Sequence, residues 1–174
     1  MRPVIFLDID GVVNTSKNYH EWHKAHKESP VATGKYSILD PHATKLFDPE
    51  LVGNVKEVIK RTGAMIVVSS SWRLMFGSEF ELLRDLLVRV GFSPDDIAGA
   101  TPYQNPERAS AIQDWLLGTN QREVQMVILD DEDNALFGVF DLAPLHVQTD
   151  VNIGFKDADR AEGILRGAPW RRNR

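Results

Sequence analysis

The chain enters its first element with Val4-Ile5-Phe6-Leu7-Asp8-Ile9-Asp10-Gly11. The run Val4 to Ile9 is too short for a helix and rich in apolar and β-branched residues, so it reads as a buried strand with a loop at its carboxyl end. Two aspartates flanking one isoleucine, with a glycine behind them, are an unusual way to leave a strand. Two further apolar runs also end in polar clusters. Ala64 to Val68 runs into Ser69-Ser70-Ser71, and Val124 to Leu129 runs into Asp130-Asp131-Glu132-Asp133. Shorter strands are expected at Ile97 to Ala100 and Leu145 to Gln148.

Between these runs the spacing is helical. Asp48-Pro49 supplies an N-cap and a first-turn proline. Leu51, Val52, Val55, Val58 and Ile59 then share one face, and Gly63 closes the helix. Ser78 with Glu81 forms a capping-box pattern ahead of Phe80, Leu83, Leu86, Leu87 and Val90. Asn105-Pro106 is expected to open a third helix through Ala109, Ile112, Trp115 and Leu116. A last helix follows Gly154 through Ala158, Ala161, Ile164 and Leu165. Strands alternating with helices predict an α/β fold built on a mainly parallel sheet with helices on both faces.

Residues 14–47 break the alternation. They are polar, rich in His and Lys and interrupted by Pro30, Gly34 and Pro41, and they read as a small cap-like insertion after the first strand, helical near Tyr19 to Lys27. Nothing in this stretch has the apolar periodicity of a core. The expectation for 1–174 is therefore one domain carrying this insertion.

With 174 residues and 43% hydrophobic content, the chain can bury a core without covalent staples. It contains no cysteine, which removes disulfides and thiolate metal sites. The apolar start is too short for a signal-peptide core and no apolar run reaches the ~20 residues that a membrane helix needs, so no membrane partner and a cytoplasmic setting are expected. A net charge of −5 argues against a general nucleic-acid-coating surface, though a local basic groove would remain compatible with it.

In an open parallel sheet all carboxyl ends share one edge, and ligands bind there at the point where strand order reverses. Strand alternation puts Asp8 and Asp10 on one side, and with Asp130 nearby these carboxylates would repel unless a cation lay among them. A hard divalent ion suits all-oxygen ligands, Mg²⁺ above all where few carboxylates are joined by water and phosphate. Taken alone, Asp10-Gly11 is an ordinary turn signal. Arg108 carries independent information. It falls in the first turn of its helix, where the macrodipole disfavours a cation, and a guanidinium beside a helix N-terminus makes a phosphate cradle. An exposed pairing with Asp131 or Asp133 would be the ordinary alternative.

Asp8-Ile9-Asp10-Gly11-Val12-Val13 resembles the first motif of the haloacid dehalogenase (HAD) superfamily. The serine closing the second strand, the basic residue opening a later helix and the acidic pair Asp130-Asp131 match the other three in order. Val67 to Arg73, Arg108 through Leu116 and Ile128 to Asp131 are also similar to one branch, the phosphatase domain of multi-part ("Swiss Army Knife") RNA repair proteins. The resemblance implies a three-layer Rossmannoid fold and a Mg²⁺-dependent phosphohydrolase acting on phosphate monoesters through an aspartyl-phosphate. It assigns Asp8 as nucleophile and Asp10 as acid and then base. The metal would be held by Asp8, the Asp10 carbonyl and Asp130, with Asp131 behind them. It gives the phosphoryl oxygens to Ser70, with Ser69 as the alternative, and to Arg108. Arg73 lies near the site in sequence and is a candidate substrate contact.

Around this core the sequence leaves several readings open. The partner would be a phosphorylated small molecule or a nucleic-acid end. A phosphomutase uses the same acids, and a non-catalytic phospho-ligand module is the reading from another class. A phosphonate hydrolase would need an imine-forming lysine such as Lys17 or Lys24. His20, His23 and His26 lie along one helix side and fit a solvated insertion better than a zinc site. Tyr19, Trp22 and Tyr36 could stack on a base or fasten the insertion, and Trp72 reads as core.

Overall fold

The computed structural model describes residues 2–25 and 43–172. Five parallel strands form the central sheet: β1 (Val4–Leu7), β2 (Met65–Val68), β3 (Ile97–Ala100), β5 (Met126–Asp130) and β6 (His146–Gln148), in the order β3-β2-β1-β5-β6. A two-residue strand β4 (Glu123–Val124) pairs antiparallel with β7 (Trp170–Arg171) apart from the main sheet. The single run expected from Val124 to Leu129 is thus split at Gln125, and only its second part joins the sheet.

Because β1 lies between β2 and β5, successive residues feed opposite layers. Ile5 and Leu7 join Ile66, Val68, Val127 and Leu129 in one core, while Val4 and Phe6 join Val67, Met126 and Ile128 in the other. The first layer is covered by α2 (Pro49–Thr62), α4 (Phe80–Arg89) and α6 (Ala158–Arg166). The second is covered by α5 (Arg108–Gly118) and the 3-10 segment Asn134–Phe140. The result is the α/β fold with a parallel sheet that the alternation predicts, in the three layers that the resemblance implies.

Helix ends follow local chemistry where the sequence supplies it. Asp48 Oδ1 accepts from the Glu50 and Leu51 amides, Pro49 occupies the first turn, and Gly63 closes α2 at φ +66°. The Ser78 capping box does not form. Gly77–Glu79 winds as a 3-10 turn directly into α4, so that helix begins at Phe80 without a side-chain cap. The third expected helix starts at Arg108 rather than Asn105, whose Oδ1 instead accepts from the Glu107 amide and shapes the approach.

The insertion holds α1 (Ser16–Ala25) and a 3-10 turn, Ala43–Leu46. His26 and Tyr36 lie outside the described residues. The stretch read as lacking a core stripe nevertheless buries Trp22, Ala43, Leu46 and Phe47 in the same core as β1 and β2. These residues come from two short segments, so no single helical period reveals them. Among the described residues, no helix is long and apolar enough to cross a membrane.

Candidate active site

The strand order turns back on itself between β1 and β5, which makes the gap between their carboxyl ends the natural ligand crevice. Backbone pairing aligns one row there. The Ser69 amide donates to Leu7 at 2.8 Å, the Asp8 amide to Leu129 at 3.0 Å and the Thr149 amide to Asp130 at 2.9 Å. Ser69, Asp8 and Asp130 therefore stand side by side because their strands are in register, and each is buried.

The loop after β1 is tightly wound. The amides of Val12, Val13 and Asn14 all approach the Ile9 carbonyl, and Gly11 takes φ +72°. A β-carbon at Gly11 would lie 2.6 Å from Asp131 Oδ2, so glycine is required both for the turn and for the closeness of the second acidic strand end. From outside, the Thr149 hydroxyl donates to the Gly11 carbonyl at 2.7 Å, and the Phe155 amide donates to Val12 at 2.9 Å.

Asp8, Asp130 and Asp131 each place a carboxylate oxygen within 4.8 Å of the others. Arg108 answers part of this charge. Its Nη1 donates to Asp8 Oδ2 at 2.6 Å and to Asp130 Oδ1 at 2.5 Å. This resolves the first-turn anomaly: the cation is set by the acids across the crevice and not by its helix. The partners of the alternative reading, Asp131 and Asp133, are not the ones it takes. Asp8 Oδ1 accepts from the Ile9 amide at 2.7 Å, and Asp130 Oδ1 also accepts from the Glu132 amide at 2.9 Å. Asp130 Oδ2 is buried with no partner among the described residues.

Burial pushes the Asp8 carboxyl up to about 7; Arg108 works against the shift, Asp130 adds to it, and hydrogen bonds from Ser70 and the Ile9 amide oppose it. Asp130 and Asp131 are raised for the same primary reason, burial, with Arg108 again in opposition. Burial works against the Arg108 cation too, but Asp8 and Asp130 outweigh it and hold the guanidinium charged beyond its ordinary range. Three carboxylates facing one guanidinium leave an excess of negative charge and a buried oxygen without a donor. An all-oxygen set in this state fits a hard divalent cation.

Asp10 is held differently. Its Oδ2 accepts from Trp72 Nε1 at 2.8 Å and its Oδ1 from Asn14 Nδ2 at 2.9 Å, while Asn14 Oδ1 takes the Gly11 amide. Its side chain stands outside the three-acid group. Trp72 is buried against Phe47, as a core reading expects, but its indole N–H is committed to the site. Asn14 could have been suspected from its place four residues after Asp10. Nothing local announces Trp72.

Ser70 lends its hydroxyl to Asp8 and accepts from the Trp72 amide at 3.3 Å, whereas Ser69 Oγ is buried without a partner among the described residues. Arg73 is 2% exposed and spends its guanidinium on the Ser70 and Asn105 carbonyls at 2.9 and 2.8 Å. It joins the β2 end to the loop before α5 and lines a cavity of about 410 Å³ shared with Arg108 and the segment 134–140. Burial, reinforced by Arg108, lowers its pKa. His146, missed from the sequence, supports β5 by meeting the Asp130 carbonyl through Nε2 at 3.1 Å.

This geometry coincides with a family match: the model for the HAD domain in Swiss Army Knife RNA repair proteins matches residues 4–160. The chain belongs to that family. No curated protein and no solved structure matches it. Membership of this HAD family points to phosphatase-type hydrolysis, and the HAD domain's acidic triad could hold a metal ion.

Proposed function

We propose that this HAD domain is a Mg²⁺-dependent phosphohydrolase that cleaves phosphate monoesters, the ester being that of a nucleotide or a nucleic-acid end. The observation that carries the reading is the meeting of Asp8, Asp130 and Asp131 at the β1–β5 switch point, with Asp10 fixed beside them by Trp72 and Asn14. The RNA-repair family description supports the nucleotide part.

Asp8 attacks phosphorus, forming an acyl-phosphate bond as the ester P–O bond breaks. The departing oxygen takes its proton from Asp10. Asp10, now a carboxylate, accepts a proton from water, whose oxygen attacks phosphorus and frees Asp8 and inorganic phosphate. Ser70 and Arg108 bind the phosphoryl oxygens, and Arg108 also favours the ionised form of Asp8 against its burial and holds it turned toward the crevice. Ser69 is a further candidate donor to the phosphoryl group. Asp8, Asp130 and the Asp10 carbonyl would hold Mg²⁺, with Asp131 in support; the ion supplies positive charge between an anionic nucleophile and an anionic substrate.

The test is hydrolysis of an aryl phosphate with Mg²⁺ and with EDTA. Wild-type protein turns over only with the metal, and Asp8→Asn does not turn over at all. Equal rates for the two proteins would remove Asp8 as nucleophile.

A further inference from the structure

The cavity beside Asp10 is separate from the one lined by Arg73 and Arg108. It has a volume of about 290 Å³ and is lined by Asp10, Gly11, Asn14, Thr15, Ser16, Tyr19, His20 and Val151. A proton donor must reach the oxygen that leaves, so the leaving group lies on the Asp10 side of phosphorus. The Arg73–Arg108 cavity does not include Asp10 and so does not meet that requirement.

The composition of the Asp10 cavity narrows the leaving group. No lysine or arginine lines it among the described residues, and Asp10 is its one acid. A second phosphate or a carboxylate on the leaving group would find no lysine or arginine to pair with there among the described residues. Two apolar groups are instead left open to it: Tyr19, 48% exposed, and Val151, 40% exposed. Their relative position is fixed, because the Ser16 amide at the start of α1 donates to the Val151 carbonyl at 2.9 Å. The Tyr19 ring is also oriented, packing on His23 with centroids 4.2 Å apart. His20 Nδ1 meets the Ser16 carbonyl at 2.5 Å; a carbonyl only accepts, so that nitrogen carries the proton and the ring is held at the cavity edge.

We infer that this cavity receives the leaving group and selects an uncharged alcohol carrying a planar ring, with Tyr19 as the residue that sets the preference. The inference rests on the phosphatase reading and narrows it: of a nucleotide and a nucleic-acid end it favours the nucleotide, a monoester whose alcohol half is uncharged and presents an aromatic face, as a nucleoside does. An oriented aromatic side chain beside an apolar wall is the arrangement that gains from ring stacking.

The test compares benzyl phosphate with butyl phosphate, whose alcohols are both primary and differ mainly in the ring. Wild-type protein is expected to favour the benzyl ester by about tenfold or more in kcat/KM, within the range that ring stacking supplies. Tyr19→Ala brings the ratio to within about twofold of unity, and Tyr19→Phe keeps it. A wild-type ratio near one, or a ratio unchanged in Tyr19→Ala, overturns the inference while leaving metal-dependent hydrolysis in place. Absence of metal-dependent turnover of both esters by wild-type protein removes the phosphatase reading, and this inference with it.

Discussion

Asp130→Asn tests the charge balance of the crevice directly, because it changes one buried carboxylate and little volume. In EDTA, at a pH high enough to ionise Asp8, Asp130 and Asp131, all three face the single guanidinium of Arg108. Their oxygens lie within 4.8 Å of one another. At an effective dielectric of about 20, each like-charge pair costs about 3–4 kcal/mol, and the Arg108 pairing with Asp130 at 2.5 Å returns about 6–7 kcal/mol. Removing the Asp130 charge thus relieves two repulsions and loses one attraction, and the two nearly cancel. Placing an amide where Asp130 Oδ2 already lacks a donor costs about 1–2 kcal/mol. Arg108 keeps Asp8 as its partner, so no cation is stranded. The metal-free variant should therefore lie within about 2 kcal/mol of wild type, a change in Tm of no more than about 8 °C for a chain of this size, where breaking a buried ion pair ordinarily costs about 3–5 kcal/mol. With Mg²⁺ at about ten times its Kd, wild type gains about 1.4 kcal/mol, about 3–6 °C, and the variant gains nothing. The assay is thermal unfolding of both proteins with EDTA and with Mg²⁺. A loss in EDTA well beyond about 8 °C for the variant, or an equal Mg²⁺ response in both proteins, would refute the argument that these acids are held together for a cation.

The same crevice gives a pH signature. The folded pKa of Asp8 is raised to about 7 against an unfolded value of about 3.9, so its contribution to stability is full below about pH 4 and is lost as pH rises toward 7. In EDTA, wild-type Tm should fall between pH 5 and pH 7.5 more steeply than that of Asp8→Asn, as followed by thermal unfolding; parallel curves would mean that Asp8 is not the titrating group. Trp72→Phe keeps a ring against Phe47 and removes the donor to Asp10 Oδ2. A hydrogen bond to a charged group is worth about 1.5–3 kcal/mol, so kcat should drop roughly tenfold or more with little change in KM, while the Mg²⁺ response of Tm persists.

How much of this could be read from the sequence depends on where each signal resides. The strand ends were legible because burial on both faces forces an unbroken apolar run, and the residue that follows must serve the edge. Asp8, Ser69 and Asp130 could be placed on one edge from that rule alone. Arg108 was legible through a conflict, a cation where the helix dipole opposes it, though its actual partners needed the strand order. Where local chemistry had a competitor, the expectation failed. Ser78 and Glu81 had the spacing of a capping box, but a 3-10 turn at Gly77–Glu79 claimed those residues first. The insertion's core residues were illegible because Trp22 and Phe47 reach the core from short segments with no common period.

The constraints on Asp10 show why the rest was hidden. Trp72 lies 62 residues away in sequence, and its indole reaches Asp10 only because β2 pairs beside β1 and α3 (Trp72–Phe76) begins at once after the serine cluster. The contact follows from topology, and one chain carries no topological record of it beyond strand order. It also separates the two halves of the first motif. Asp8 is buried, raised in pKa and held among like charges, an arrangement suited to a nucleophile that needs a cation before it is fully ionised. Asp10 accepts from two neutral donors and stands outside the acidic triad, beside a cavity lined by no lysine or arginine among the described residues. Two identical side chains, two residues apart, thus meet different sets of neighbours. The division comes from their neighbours, Arg108, Asp130 and Asp131 for the first, Trp72 and Asn14 for the second.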